Sequence, residues 1–208
     1  MGLVRGSAES QPEQVSSKLP ATETLLGQLD DRDTDRRREA ALGLDDGPDA
    51  VPALLERLTA ETEPAVRDAL LATLVTHDTE QVVAALIVHL ASDDAGLRTA
   101  VAETLAAMPV SVLRFMPALL ADARHHVRIM TVLILARMHH AEAVFWLVAV
   151  ISDDPHPNVV SAAIDALLPS ATVEHLPLLR QAMSRFPDDP FLRFVVDIAV
   201  SRLAGGPS

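Results

Sequence analysis

One short sequence phrase recurs along this chain at a nearly constant spacing. In its clearest copies a branched or long apolar residue precedes an arginine, and alanine then alternates with leucine or valine, as around Arg67 and Arg98. Successive copies are separated by steps of 30, 31, 30, 32 and 33 residues, and the arginine position is occupied in turn by Arg37, Arg67, Arg98, Arg128, Val160 and Arg193. A period of this length predicts an array of repeated units, each packed on its neighbours.

The composition fits a core of closely packed helices. Apolar residues make up 49% of the 208 residues and aromatic residues only 3%, so leucine, alanine and valine must fill the core. The absence of cysteine excludes disulfides, thiolate metal sites and cysteine nucleophiles. Apolar runs are far shorter than the ~18 residues of a membrane span, and residues 1–20 lack a secretory apolar region. We therefore predict a cytoplasmic protein with no membrane partner.

Each unit is predicted to be two helices, A and B, joined by a tight turn. In the second unit helix A is expected over about residues 49–59 and helix B over about residues 64–75, with Pro64 in the first turn, where a missing N–H costs nothing. In the fourth unit Pro117 lies deeper in helix A and predicts a kink or a late helix start. Helix A of the fifth unit, residues 143–151, is apolar all round, which predicts burial on several sides and a buried Trp146.

The ends of the chain differ in composition from the repeats. Residues 1–20 are rich in Ser, Gln, Glu and Pro, show no periodicity, and are predicted to be disordered. Residues 205–208 read Gly-Gly-Pro-Ser and predict a frayed C-terminus. A single repeat domain is therefore expected over residues 21–204.

These units resemble the HEAT repeat, and most of all the short bacterial HEAT-like, or phycobilin-lyase-type, form. The resemblance rests on AVPALLERL at residues 50–58, EPAVR at residues 63–67 and the alanine and leucine that follow. It implies an all-α, right-handed α-solenoid of about six HEAT-like helical hairpins, with A helices on the convex side and B helices on the concave side. The resemblance is specific for fold and carries little information on function.

The recurring arginines are candidates for a structural ladder. Because they occupy one position in successive units, they are expected to stack and to bridge neighbouring loops, while acidic residues just before them cap the B helices. A ligand site is the less favoured alternative. The predicted ladder comprises Arg37, Arg67, Arg98, Arg128 and Arg193.

Several chemistries are disfavoured by the residues present. The net charge of −12 argues against nucleic acid as a partner, and HEAT-like DNA glycosylases use a basic, aromatic concave face. Iron-binding HEAT-repeat hydroxylases use His-Glu dipeptides, which this chain lacks. The histidines fall in two groups at opposite edges of the predicted solenoid, where solvated loop residues are favoured over a metal site; they are His125, His126 and His156, and His139 and His140. We predict no cofactor and no metal.

The concave groove is the predicted binding site. The B-helix positions one and five after the ladder position should face it, and half of them, Ser161 included, are polar and suit a solvated groove. Ile129, Leu133, Phe194 and Ile198 would instead form an apolar strip edged by Glu103 and Asp165, suited to an amphipathic helix with basic flanks. The alternative is that the four apolar residues pack between repeats.

The predicted function is binding rather than catalysis. We expect a non-catalytic adaptor or scaffold that binds a partner protein through its concave face, in the regulation or assembly of a bacterial complex. The enzymatic alternative, which follows only from the resemblance, is a bilin lyase or isomerase acting on a tetrapyrrole-bearing protein.

Overall fold

The computed structural model describes residues 22–44, 47, 49–138 and 140–205. The segment predicted to be disordered, residues 1–20, lies outside this part of the chain, as do residues 206–208 of the predicted C-terminal fray. The described residues form helices and no strand. The predicted all-α solenoid is therefore confirmed.

The first three units are helical hairpins. Their A helices and B helices alternate along the chain as α1 (Thr22–Gln28) and α2 (Thr34–Gly43), α3 (Ala50–Ala60) and α4 (Pro64–Leu74), and α5 (Glu80–Ile87, extended by a 3-10 turn over Val88–Ala91) and α6 (Ala95–Ala106). Helices α3 and α4 agree with the sequence prediction within one residue at each end. Pro64 is the first residue of α4, as expected for a residue that has no N–H to donate.

The last three units follow the same plan with one interruption. They comprise α7 (Pro109–Val112), a 3-10 turn over Leu113–Phe115, α8 (Met116–Leu120) and α9 (His125–Arg137); α10 (Ala141–Asp153) and α11 (Pro157–Leu167); and α12 (Leu176–Arg185) and α13 (Pro190–Ala204). Helix A of the fourth unit is thus broken into α7 and α8, with Pro117 in the first turn of α8. The predicted kink or late start is confirmed.

The B helices form the continuous layer of the solenoid. Each of α2, α4, α6, α9 and α11 packs along the B helix of the next unit, and these contacts are more extensive than those between successive A helices. Elements lie closest together on the inside of a curve, so this layer forms the inner face. The buried apolar residues make one cluster that runs from Leu25 in α1 to Ala199 in α13.

The outer position of α10 overturns one expectation. Its buried residues, among them Leu147 and Ile151, lie on one side, whereas Phe145 is 71% exposed. Trp146 is only partly buried, packed against the edge of the core. The prediction of burial on several sides was wrong because an A helix has inner helices on one side and solvent on the other.

No single helix among the described residues is long and apolar enough to cross a membrane. The segments Ala95–Ala106 and Pro109–Leu120 reach that length and composition only together, and they are bent by 97° relative to each other.

Candidate functional site

Every predicted ladder arginine binds the turn that precedes its own helix. In each case a guanidinium nitrogen donates to the backbone carbonyl oxygen six residues earlier. The five bonds are Arg37 to Asp31 (2.9 Å), Arg67 to Glu61 (2.8 Å), Arg98 to Ser92 (2.6 Å), Arg128 to Asp122 (2.7 Å) and Arg193 to Pro187 (2.6 Å). The constant offset shows that the repeated arginine stabilises a repeated turn.

Two of these arginines also form buried, two-pronged ion pairs with the next unit. Arg37 places Nε 2.8 Å from Oε2 of Glu61 and Nη2 3.2 Å from Oε1. Arg128 contacts Asp154 in the same way, at 2.7 and 3.1 Å. Paired N–H···O bonds of this kind are among the strongest that proteins make. They join unit 1 to unit 2 and unit 4 to unit 5.

A third arginine makes a more exposed bridge. Nη1 of Arg67 lies 2.6 Å from Oδ2 of Asp94, which joins unit 2 to unit 3. The equivalent acid for Arg98 would be Asp122, but Arg124 occupies that carboxylate through two bonds of 2.9 Å. The arginines therefore share the carbonyl contact, while the bridge to the next unit depends on which acid is available.

The buried carboxylate of Glu61 is strongly stabilised in its charged form. Burial alone raises the pKa of this group, but hydrogen bonds outweigh that effect and lower its pKa to about 2. The donors are the side chains of Arg37 and Arg57 and the backbone N–H groups of Thr62 and Glu63. The same pairing raises the pKa of Arg37 above its ordinary value, so this pair remains charged at neutral pH.

Acidic residues cap three of the B helices. Carboxylate oxygens of Asp33, Asp94 and Asp189 accept backbone N–H groups in the first turns of α2, α6 and α13. Glu63 stands at the same position before α4 but makes no side-chain cap. The capping prediction is therefore confirmed at the three aspartates, whereas no side chain caps α4. Glu61 instead accepts the backbone N–H groups of Thr62 and Glu63 in the turn that precedes this helix.

In the fifth unit, which has no ladder arginine, an arginine from the next unit makes the equivalent contact with the turn, and the sequence did not predict it. Val160 occupies the ladder position and is buried. The carbonyl oxygen six residues before it belongs to Asp154, and it accepts from Nη2 of Arg185 at 2.5 Å. Arg185 also donates to the carbonyl of Ile151 at 2.8 Å. Arg185 lies at the end of α12, outside the repeated phrase, so the repeat pattern offered no signal for it.

Three histidines meet at the turns of units 4 and 5. The rings of His125 and His156 stack with centroids 4.1 Å apart and planes 6° from parallel, and His126 lies edge-on to His125. Nδ1 of His156 accepts the backbone N–H of Asn158. Among the described residues no group of three or more His, Cys, Asp or Glu side chains could hold a metal ion. His139, of the second predicted group, lies outside them.

The predicted apolar strip divides into two parts in the structure. Ile129 and Leu133 are partly buried and pack against the core, which favours the alternative that they fill the space between repeats. Glu103 is exposed, and its Oε1 lies 2.8 Å from Nη2 of Arg137. Phe194 and Ile198 remain 60% and 47% exposed on α13.

Phe194 and Ile198 come together with Asp165 around one cleft between α11 and α13. The cleft has a volume of about 400 Å³ and is lined by Asn158, Ser161, Ala162, Asp165, Leu168, Phe191, Phe194, Val195 and Ile198. Phe191, 58% exposed, was missed because it lies two residues before the ladder position. Ser161, expected to face solvent in the groove, is buried in the cleft wall instead.

Comparison with known proteins agrees with this architecture. The HEAT-repeat pattern matches residues 22–106 and 112–196, which is more than half of the chain. The protein therefore belongs to the HEAT-repeat family. No curated protein matches it.

Two solved structures of engineered proteins, both Northeast Structural Genomics Consortium targets, are similar to this chain. One is 18% identical with a TM-score of 0.40, and the match covers 89% of this chain and 97% of that one. The other is 16% identical with a TM-score of 0.41, and the match covers 90% and 100%.

Proposed function

We propose that this protein is a non-catalytic adaptor that binds a partner protein through its inner-helix face, in the regulation or assembly of a larger complex. The observation that carries the proposal is the cleft between α11 and α13, where Phe191, Phe194 and Ile198 are all about half exposed or more. Clusters of exposed large apolar side chains mark interaction sites on soluble proteins. A stacked array of helices offers such a surface in extended, rigid form.

The hydrogen bonds that the ladder arginines make within the chain support the same proposal. Their guanidinium groups donate to the chain's own turns and acids, so an anionic ligand would have to compete with hydrogen bonds of 2.6 to 2.9 Å. This favours a structural role for the arginines and leaves the apolar cleft as the stronger candidate for recognition.

The proposal is tested by photo-crosslinking in living cells. A photoreactive phenylalanine analogue replaces Phe194 in the cleft or, as a matched control, Phe145 on the outer helix α10, which is 71% exposed. An adaptor of the proposed kind yields a discrete covalent adduct with one protein from position 194 and none of that adduct from position 145. The same adducts from both positions, or none from position 194, would contradict binding through this face.

A further inference from the structure

From the cleft between α11 and α13 we infer the chemistry of the bound segment: a cationic amphipathic helix with one bulky anchor side chain beside a lysine or arginine. The inference rests on the proposed adaptor function and specifies its partner. One wall of the cleft carries Phe191, Phe194 and Ile198, and the other carries Ala162 and Asp165.

The shape of the cleft suits a helix. Phe191, Phe194 and Ile198 are spaced i, i+3 and i+7, so they lie along one side of α13. This side extends over two helical turns, or about 10 Å, and faces α11, against which α13 packs. An amphipathic helix laid in such a groove presents anchors at the same spacing. Binding by strand addition needs a sheet edge, and the described residues contain no strand.

The apolar wall supplies the anchor site. Three large side chains remain substantially exposed within two turns of one helix, whereas their neighbours Leu192 and Val196 are buried in the core. Small residues face them from α11, where Ser161 and Ala162 leave the space that makes the cleft. A bulky side chain inserted there would bury apolar surface on both walls, which is how the dominant residues of interfaces act.

The hydroxyl of Ser161 guides the choice of the anchor used for testing. Its Oγ is buried and has no hydrogen-bond partner among the described residues. By contrast, the helical hydroxyls of Thr131 and Thr99 bond to the carbonyl four residues earlier, at 2.9 and 3.0 Å. A buried hydroxyl without a partner is unfavourable. An indole N–H in the cleft would become a partner for this oxygen once the Ser161 side chain rotates towards the cleft, so tryptophan is the anchor that we select for testing.

Acidic side chains around the cleft favour a bound segment that carries positive charge. Asp165 is exposed at its rim, and no basic residue in the described part of the chain lies within ion-pair distance of it. Asp188 and Asp197 line the adjoining depression on the other side of Phe194, together with Arg193, whose Nη2 is bound to the carbonyl of Pro187. A lysine or arginine beside the anchor would meet these carboxylates, and complementary charge also speeds association.

The same charges disfavour two other occupants. A second copy of this chain, with net charge −12, would bring its own acidic rim against Asp165 and Asp197. An anionic membrane surface would be repelled in the same way. The acidic rim therefore favours a cationic helix from a different protein.

Designed peptides test the inference on the full chain. Two fluorescein-labelled helical peptides of about 18 residues, long enough to be partly helical, share one apolar face with a central tryptophan and differ only in lysine or glutamate flanks. Fluorescence anisotropy gives the dissociation constants. We expect the lysine peptide to bind about tenfold tighter than the glutamate peptide, because of charge complementarity.

Matched variants locate the binding site. Phe194→Ser should weaken binding of the lysine peptide by about tenfold or more. Phe145→Ser replaces a phenylalanine that is even more exposed, on the outer helix α10, and should change this binding by less than about twofold. Asp165→Asn should weaken binding of the lysine peptide alone, by about threefold, and should make that binding less dependent on salt. Glu56→Gln on α3 makes the same change of charge away from the cleft and serves as the control. Circular dichroism verifies that each variant keeps its helicity.

Three outcomes would overturn the inference. The first is that the lysine and glutamate peptides bind equally well, and the second is that Phe194→Ser binds the lysine peptide as tightly as the wild type does. The third is a dimer, seen by light scattering, that Phe194→Ser abolishes, because this would place a second copy of the chain in the cleft. If the adaptor proposal itself is wrong, no specific adduct forms at position 194 in cells, which is a different result from these three. An adduct at that position combined with failure of the lysine peptide would reject only the cationic helix.

Discussion

Arg128 of unit 4 and Asp154 of unit 5 form a buried, two-pronged ion pair, with Nε 2.7 Å from Oδ2 and Nη2 3.1 Å from Oδ1. The backbone carbonyl of Asp154 also accepts from Arg185 of unit 6 at 2.5 Å. A single residue in one turn therefore joins three successive units. In an array held together only by contacts between neighbours, such a residue couples the unfolding of the units.

We expect Asp154→Asn to be strongly destabilising. The substitution keeps the size of the side chain but leaves the buried guanidinium of Arg128 without its counter-charge, which costs about 3–5 kcal/mol. Urea unfolding followed by circular dichroism measures the loss. The matched control is Glu80→Gln, because the Glu80–Arg114 pair is more than half exposed on both sides and exposed pairs contribute little to stability. Equal shifts in the two variants would show that burial of the Arg128–Asp154 pair is not what matters.

Arg185→Ala should also destabilise the end of the array. It removes the donors from the partly buried carbonyls of Ile151 and Asp154, at a cost of about 1–3 kcal/mol for the two lost hydrogen bonds. Arg180→Ala on the same helix is the control, because Arg180 is exposed and should change stability by less than about 0.5 kcal/mol. The melting temperatures of the two variants test this prediction. Indistinguishable values would show that the hydrogen bonds of Arg185 do not stabilise the end of the array.

The pKa of Glu61 predicts a specific loss of stability in acid. Because the folded-state pKa is lowered from 4.5 to about 2, the ionised carboxylate contributes its full stabilisation above pH 4.5. That contribution is lost as the pH falls from about 4.5 towards 2, where the folded state also takes up the proton. Glu61→Gln removes the charge at all pH values. The stability difference between wild type and this variant should therefore shrink across this range.

Measuring that difference, rather than wild-type stability alone, separates Glu61 from other acids. Asp122 also has a pKa lowered to about 2, chiefly through its hydrogen bond with the Arg124 side chain, but it is present in both proteins and cancels. Urea unfolding at pH 7, 5, 3.5 and 2.5 gives the curve. A difference that stays constant down to pH 2.5 would contradict the assignment.

The architecture was predictable because two independent signals coincide in four of the six units, the second, fourth, fifth and sixth. The period near 31 residues fixes the number of units, and prolines mark where helices begin, as Pro64 does for α4 and Pro117 for α8. Both signals act through local backbone chemistry, which does not depend on neighbouring units. The bounds of α3 and α4 consequently agree with the sequence within one residue.

The candidate site was only partly predictable. The spacing from the ladder position identifies which side of a helix faces the groove, and so identified Asp165, Phe194 and Ile198. It does not tell how closely the next unit covers that side, which is why Ile129 and Leu133 are half buried. Arg185 was missed for a related reason, since its contact depends on where α12 ends relative to the preceding turn.

The orientation of α10 leads to the last prediction. Its sequence is apolar all round and cannot show which side faces the core, whereas the structure buries Leu147 and exposes Phe145 two residues away. Leu147→Ala should therefore cost about 2–5 kcal/mol, because it removes buried carbons and leaves a cavity. Phe145→Ala removes a larger side chain but should change the free energy of unfolding by less than about 0.5 kcal/mol, as for an exposed position. Urea unfolding of both variants tests the orientation, and the reverse order of the two costs would show that α10 packs with its other side on the core.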